Sequence, residues 1–224
     1  MKHIEKEINS LKEEIIQMWK LVVSQLEKAK QSFINSDIET AIEIVTREKS
    51  VDAFELKIDS DCENYIALYS PVAVDLRLVL SLLKISNSLE RIGDLAAGIA
   101  RHVIEDECNN NSLELIENLQ LEEMFDTLIS MLSDGLVSLE YESTIKSEKI
   151  LAKDDKIDQI YHNSIYILSE YITKDTSFTL CGLKLLLPIR KLERIGDLCS
   201  NLVEDIVFYV DAIVLKHNEH HNNN

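Results

Sequence analysis

The heptapeptide LERIGDL occurs twice in this chain, at residues 89–95 and again at 192–198. The flanks agree in type: Leu82-Leu83 corresponds to Leu185-Leu186, and Val103 to Ile206. A seven-residue identity at equivalent places marks a duplicated structural unit, and duplication constrains architecture before any single element is assigned. It divides the chain into a first unit at 1–109, a second at 110–217, and a polar tail at 218–224 that is expected to be disordered.

Each unit reads as helix. Of 224 residues only 5 are glycine and 2 are proline, far below the usual share of roughly 7% and 5%. Tight turns are therefore few and the elements long. Ile4, Ile8, Leu11, Ile15, Met18 and Val22 step by three or four, as one buried helical stripe requires. Helix starts are signalled by Ser36 with Glu39 as a capping box, by Ser70-Pro71, by the polar break Asn109 to Ser112 with Asn111 and Glu114, by Ser143-Thr144, and by Asp175 to Ser177. The expectation is an all-α fold: two tandem three-helix bundles, six long antiparallel helices, near 3–34, 37–69, 71–107, 112–142, 144–173 and 177–215.

The charge excludes some roles. Acidic residues number 40 against 23 basic, a formal net charge of −17, and such a field repels phosphate backbones. Nucleic-acid binding is not expected. Apolar residues make up 46%, but no stretch is long and apolar enough to span a bilayer. The amino-terminal MKHIEKEINSLKEEI has no apolar signal-peptide region. The four cysteines, Cys62, Cys108, Cys181 and Cys199, are scattered, which suits small core residues in a reducing cytoplasm.

Within each copy of the heptapeptide a glutamate and an aspartate stand four apart, Glu90 with Asp94 and Glu193 with Asp197. Helix positions i and i+4 share a face, roughly 5–6 Å apart, so two such acids repel unless something positive lies between them. The preceding helix of each unit supplies a second pair, Glu48 with Asp52 and Asp154 with Asp158. Four carboxylates can thus converge per unit, and hard oxygen donors at that density suit Mg2+, Mn2+, Ca2+ or iron. The residues equally allow solvated acids supported by Arg91 and Arg194 through i,i+3 contacts with Asp94 and Asp197. Gly93 and Gly196 fit either the packing of crossed helices or the close approach of a backbone or ligand. A di-iron enzyme of the ferritin kind needs Glu-x-x-His on two helices, and none of the six histidines follows a glutamate at that spacing. No phosphate-binding loop or nucleophile elbow is present, so no enzymatic activity is expected.

At PVAVDLR (71–77), LERIGDLAAGIAR (89–101) and LERIGDLCSNLVEDIVFYV (192–210) the chain resembles the PhoU family of bacterial phosphate-uptake regulators. The resemblance covers nearly the whole chain. It implies two three-helix bundles, and metal (iron, zinc, or a divalent ion such as Mg2+ or Mn2+) held at Glu48, Asp52, Glu90 and Asp94 and at Asp154, Asp158, Glu193 and Asp197. Asn201, Arg91 and Arg194 stand beside them as candidate outer partners or ligands. It further implies a cytoplasmic, non-enzymatic adaptor, commonly a homodimer. Such an adaptor restrains the phosphate ABC transporter through its ATPase and keeps a membrane sensor histidine kinase inactive, meeting the membrane only through these partners. Two departures bear on the sites. Gly98 stands where the second unit has Asn201, which is expected to make the second site the tighter one. Pro188, five residues before Glu193, is expected to kink its helix.

Overall fold

The structure, a computed structural model, describes residues 2–105 and 113–215, with the side chains of 2–5 and 113 left aside. Expectations for Ile4, Cys108, the break at Asn109 to Ser112 with its Asn111–Glu114 cap, and the tail therefore lie outside the described residues. Among the described residues eight α-helices follow in order: α1 (Lys2–Asn35), α2 (Ile38–Tyr69), α3 (Ala73–Glu105), α4 (Leu113–Asn118), α5 (Leu121–Glu140), α6 (Ser147–Leu151), α7 (Asp154–Lys174) and α8 (Thr179–Asp211). Among the described residues there is no strand. The all-α class holds.

Two of the long helices expected in the second unit are interrupted. Leu119 and Leu121 are both buried, at 1% and 0% exposure. Two positions apart in a continuous helix would place them roughly 200° apart around the axis. Gln120 instead takes a left-handed conformation, φ 52°, and both leucines reach the core. A second break separates α6 from α7, where Lys153 is anchored to Ser130 and Asp134 at 2.7 Å each. Neither break carries glycine or proline, so neither was visible as a turn. α8, by contrast, runs unbroken through the buried Pro188.

Two expected caps move. Asp37, not Ser36, begins α2, its Oδ1 accepting from the Thr40 N–H at 3.1 Å. Ser36 is left-handed, φ 53°, because α1 runs on through Asn35. Ser70 closes α2 instead of opening α3, its N–H donating to the Ile66 carbonyl at 3.1 Å from a left-handed backbone. Proline one or two residues beyond a helix end is ordinary, and α3 starts at Ala73. Asp175 caps as expected, accepting from the Ser177 N–H at 2.9 Å and opening a 3-10 turn, Thr176–Phe178. Ser143-Thr144 falls in the turn before α6.

Helices α1, α2 and α3 pack on one another, as do α5, α7 and α8, while α1 also meets α5 and α3 meets α8. One continuous core runs from Leu11 to Tyr209. The stripe expected on α1 is present: Leu11, Ile15, Met18 and Val22 are buried, and Ile8 packs at the edge. α3 and α8 run antiparallel, tied by Lys84 to Asp205 at 3.1 Å and by Lys191 to the Gly98 carbonyl at 2.7 Å. Cys62 and Cys199 are buried thiols, and burial pushes Cys62 up to about 12. Cys181 departs from the expectation of core thiols, being disulfide-bonded.

Trp19 is the largest side chain on the seam between α1 and α5. It is fully buried, its indole N–H donates to the Leu132 carbonyl at 3.0 Å, and a Cβ at Gly135 would stand 3.0 Å from the ring. Trp19→Ala removes this seat and leaves a cavity, costing about 3–5 kcal/mol. A urea midpoint lowered to that extent, with the dependence on urea unchanged, is the expected result.

Candidate metal centre

Acids meet because α2 and α3 are joined by a short antiparallel turn, and because Gly93 lets them cross closely. A Cβ at Gly93 would stand 3.2 Å from Val51 and 3.3 Å from Gln25. The residues beside those contact points then face one another: Asp52 next to Val51, and Glu90 and Asp94 around Gly93. One oxygen from each of Asp52, Glu90 and Asp94 lies within 4.8 Å of the others. Of the four carboxylates expected in the first unit, three converge.

The fourth, Glu48, is engaged by a cation. It pairs with Arg101, from the last turns of α3. Arg91, expected from spacing to support Asp94, is exposed. Glu55, one turn beyond Asp52, extends the acidic strip and accepts from the Asn87 amide at 3.3 Å. Spacing carried a signal for both omissions: Glu55 follows Asp52 by three, and Arg101 follows Asp94 by seven, two turns along the same stripe.

Crowding of like charge shows in the proton affinities. Burial, then Asp94 and Glu55, push the Glu90 carboxyl up to about 7. Asp94 is raised by burial and by Glu48 and Asp52, and Glu55 by burial, Asp59, Asp52 and Asp94 against the bond from Asn87. An all-oxygen set that crowds its own charge in this way suits a hard divalent cation, which would supply the missing positive charge. The donors present fit such an ion.

The second unit uses the same motif differently. A Cβ at Gly196 would stand 2.6 Å from Asp154 Oδ1, while Asp154 Oδ2 accepts from the Ser200 hydroxyl at 2.7 Å. Asp154 is thus tucked against α8 beneath the glycine. Asp158, Glu193 and Asp197 remain neighbours: burial and then Asp197 raise both Asp158 and Glu193, with Arg190 and Arg194 opposing at Glu193. Among the described residues, only the first-unit trio places three ligand atoms within 4.8 Å. Asn201, expected beside Asp197, lines a groove of about 460 Å3 against α3 with Lys84, Asn87 and Ser88. Its counterpart Gly98 has a purpose of its own, since a Cβ there would stand 2.8 Å from the Lys191 ammonium.

A family model described as the PhoU domain matches the chain twice, at residues 15–103 and 121–206. The chain belongs to the PhoU family. The phosphate-specific transport system accessory protein PhoU of Escherichia coli (strain K12) is 32% identical over 94% of this chain and 86% of its own. The PhoU homolog of Aquifex aeolicus (strain VF5) is 30% identical over 95% of both. The crystal structure of the phosphate transport system regulatory protein PhoU from Streptococcus pneumoniae superposes with a TM-score of 0.85, at 28% identity, over 95% of this chain and 99% of that one. The sequence resemblance and the all-α architecture are both met at full length.

The raised Glu90 gives a signed pH dependence. A carboxyl whose folded value lies above its unfolded one stabilises fully below the unfolded value, and that contribution is lost as pH rises through the folded value. Between about pH 5 and about pH 8, metal-free protein should therefore lose thermal stability relative to Glu90→Gln, which stays neutral throughout. Asp94 acts in the same sense. Melting temperatures in chelator check this, and a constant difference across the range would contradict it.

Proposed function

We propose that this chain is an accessory regulator of phosphate-specific transport, a cytoplasmic and non-enzymatic adaptor. In this reading it restrains the phosphate ABC transporter through its ATPase and keeps a membrane sensor histidine kinase inactive while phosphate is abundant. The observation that carries it is the double match to the PhoU domain, together with near full-length similarity to proteins named as phosphate-specific transport accessories. Among the described residues no helix is long and apolar enough to cross a membrane, and in this reading contact with a membrane system runs through protein partners. At −17 the chain favours partners with basic surfaces and an association that weakens with salt. The working form is read as a homodimer of chains built from units 1–109 and 110–217.

Metal belongs to the same reading. In the first unit Asp52, Glu90 and Asp94 would hold a divalent cation or iron, with Glu48 within reach. In the second, Asp158, Glu193 and Asp197 would do so, with Asp154 joining if it leaves Ser200. A bound cation would neutralise the facing acids and pin α2 to α3, making the paired helices a firmer surface for a partner. The ion itself is left open among iron, zinc, magnesium and manganese.

Deleting the gene should switch on phosphate-starvation genes in abundant phosphate. A null strain, with no paralogue, that still represses them would overturn the regulatory reading in favour of a scaffold or a metal store. In the purified chain, Asp52→Asn with Asp94→Asn should abolish first-site binding. It should also remove the first site's share of the metal-dependent gain in stability, about 2.7 kcal/mol at a hundredfold excess over that site's Kd. Titration calorimetry and melting with and without Mn2+ read both.

A further inference from the structure

We propose that Arg101 is the built-in counter-ion of the first carboxylate cluster, holding Glu48 in the metal-free protein and yielding it when a divalent cation enters. This rests on the metal reading above and adds a residue to it.

Glu48 stands one turn before Asp52 on α2 and so shares its face. It is also close enough to Asp94 to raise that carboxyl's proton affinity. By position it is the fourth ligand of the cluster, yet its partner is the Arg101 guanidinium. Arg101 sits two turns beyond Asp94 on α3, so the guanidinium lies at the end of the acidic strip.

A second cation approaches it from α8. Lys191 crosses to α3 and donates to the Gly98 carbonyl at 2.7 Å, in space that exists because residue 98 has no side chain. That ammonium is close enough to Arg101 for the two charges to repel. Glu105 offsets part of that repulsion at Lys191.

The pair can be given up. The Arg101 side chain is 42% exposed and that of Glu48 22%, and ion pairs open to water are weak. Water can solvate the released guanidinium. In the second unit Glu204 occupies the position corresponding to Arg101, and Asp154 is held by the neutral hydroxyl of Ser200. The two clusters therefore differ in where their cations lie, Arg101 on Glu48 in the first and Arg190 with Arg194 beside Glu193 in the second. A divalent ion entering the first must displace a charge, which sets its affinity below that of four free carboxylates.

The test is Mn2+ titration by calorimetry on the full chain carrying Glu193→Gln and Asp197→Asn, so that only the first cluster responds. Arg101→Gln in that background should bind Mn2+ about threefold to tenfold more tightly, the range expected for releasing a half-exposed pair. Arg101→Lys should stay near the parent, and Arg101→Gln should gain nothing once Glu48→Gln is present. In chelator, Arg101→Gln should melt lower than the parent, and adding Glu48→Gln should restore it. Folded Arg101→Gln that binds no more tightly, or a gain that persists without Glu48, overturns the role given to Arg101 and leaves the metal site standing. Failure of the parent to bind Mn2+ overturns the metal reading and this inference with it. A measurement on the unaltered chain removes any dependence on variants folding. The Arg101 Nη–H resonances of 15N-labelled protein should move from an ion-paired to a solvated position as Mg2+ is added, and unmoved resonances under saturating Mg2+ overturn the proposal.

Discussion

The close crossing of paired helices at Gly93 and Gly196 is the constraint on which the rest depends. Mid-helix glycine costs about 1 kcal/mol against alanine, and here the missing methylene is used. Val51 and Gln25 fill the space at Gly93, and Asp154 with Ile157 fills it at Gly196. A side chain at residue 93 would push Val51 and Gln25 back by a few tenths of an ångström, loosening the crossing that sets Asp52 opposite Glu90 and Asp94. Packing in the interior and charge on the surface are therefore one design, because the residues next to the contact points are the acids.

Crowded acids are unfavourable by themselves, and the protein answers the problem differently in its two halves. In the first, burial and neighbouring acids raise the proton affinity of Glu90 and Asp94, and a guanidinium covers Glu48. In the second, one acid is withdrawn beneath a glycine and bonded to Ser200, and Arg190 and Arg194 offset part of the charge at Glu193. Duplication preserved the heptapeptide while the surroundings diverged. The exchange of Asn201 for Gly98 belongs to this divergence. It admits Lys191, and the lysine joins the two units at the place where an amide would otherwise stand.

Much of this was legible in the sequence. Helical period and the scarcity of glycine and proline determined the all-α class, the duplicated heptapeptide located the acidic pairs, and spacing put each pair on one face, because these are properties of neighbours along a chain. Contacts between distant segments were not legible. That Glu48 goes to Arg101, that Asp154 turns under Gly196 to Ser200, and that Lys191 fills the space at Gly98 each depend on how one helix lies across another. The break at Gln120 has the same origin: Leu119 and Leu121 compete for one core, and only the packed core decides that both enter it. Local sequence set which groups were available; the tertiary structure decided which of them met, because the energy of a charged or buried side chain belongs to its surroundings and not to its place in the chain.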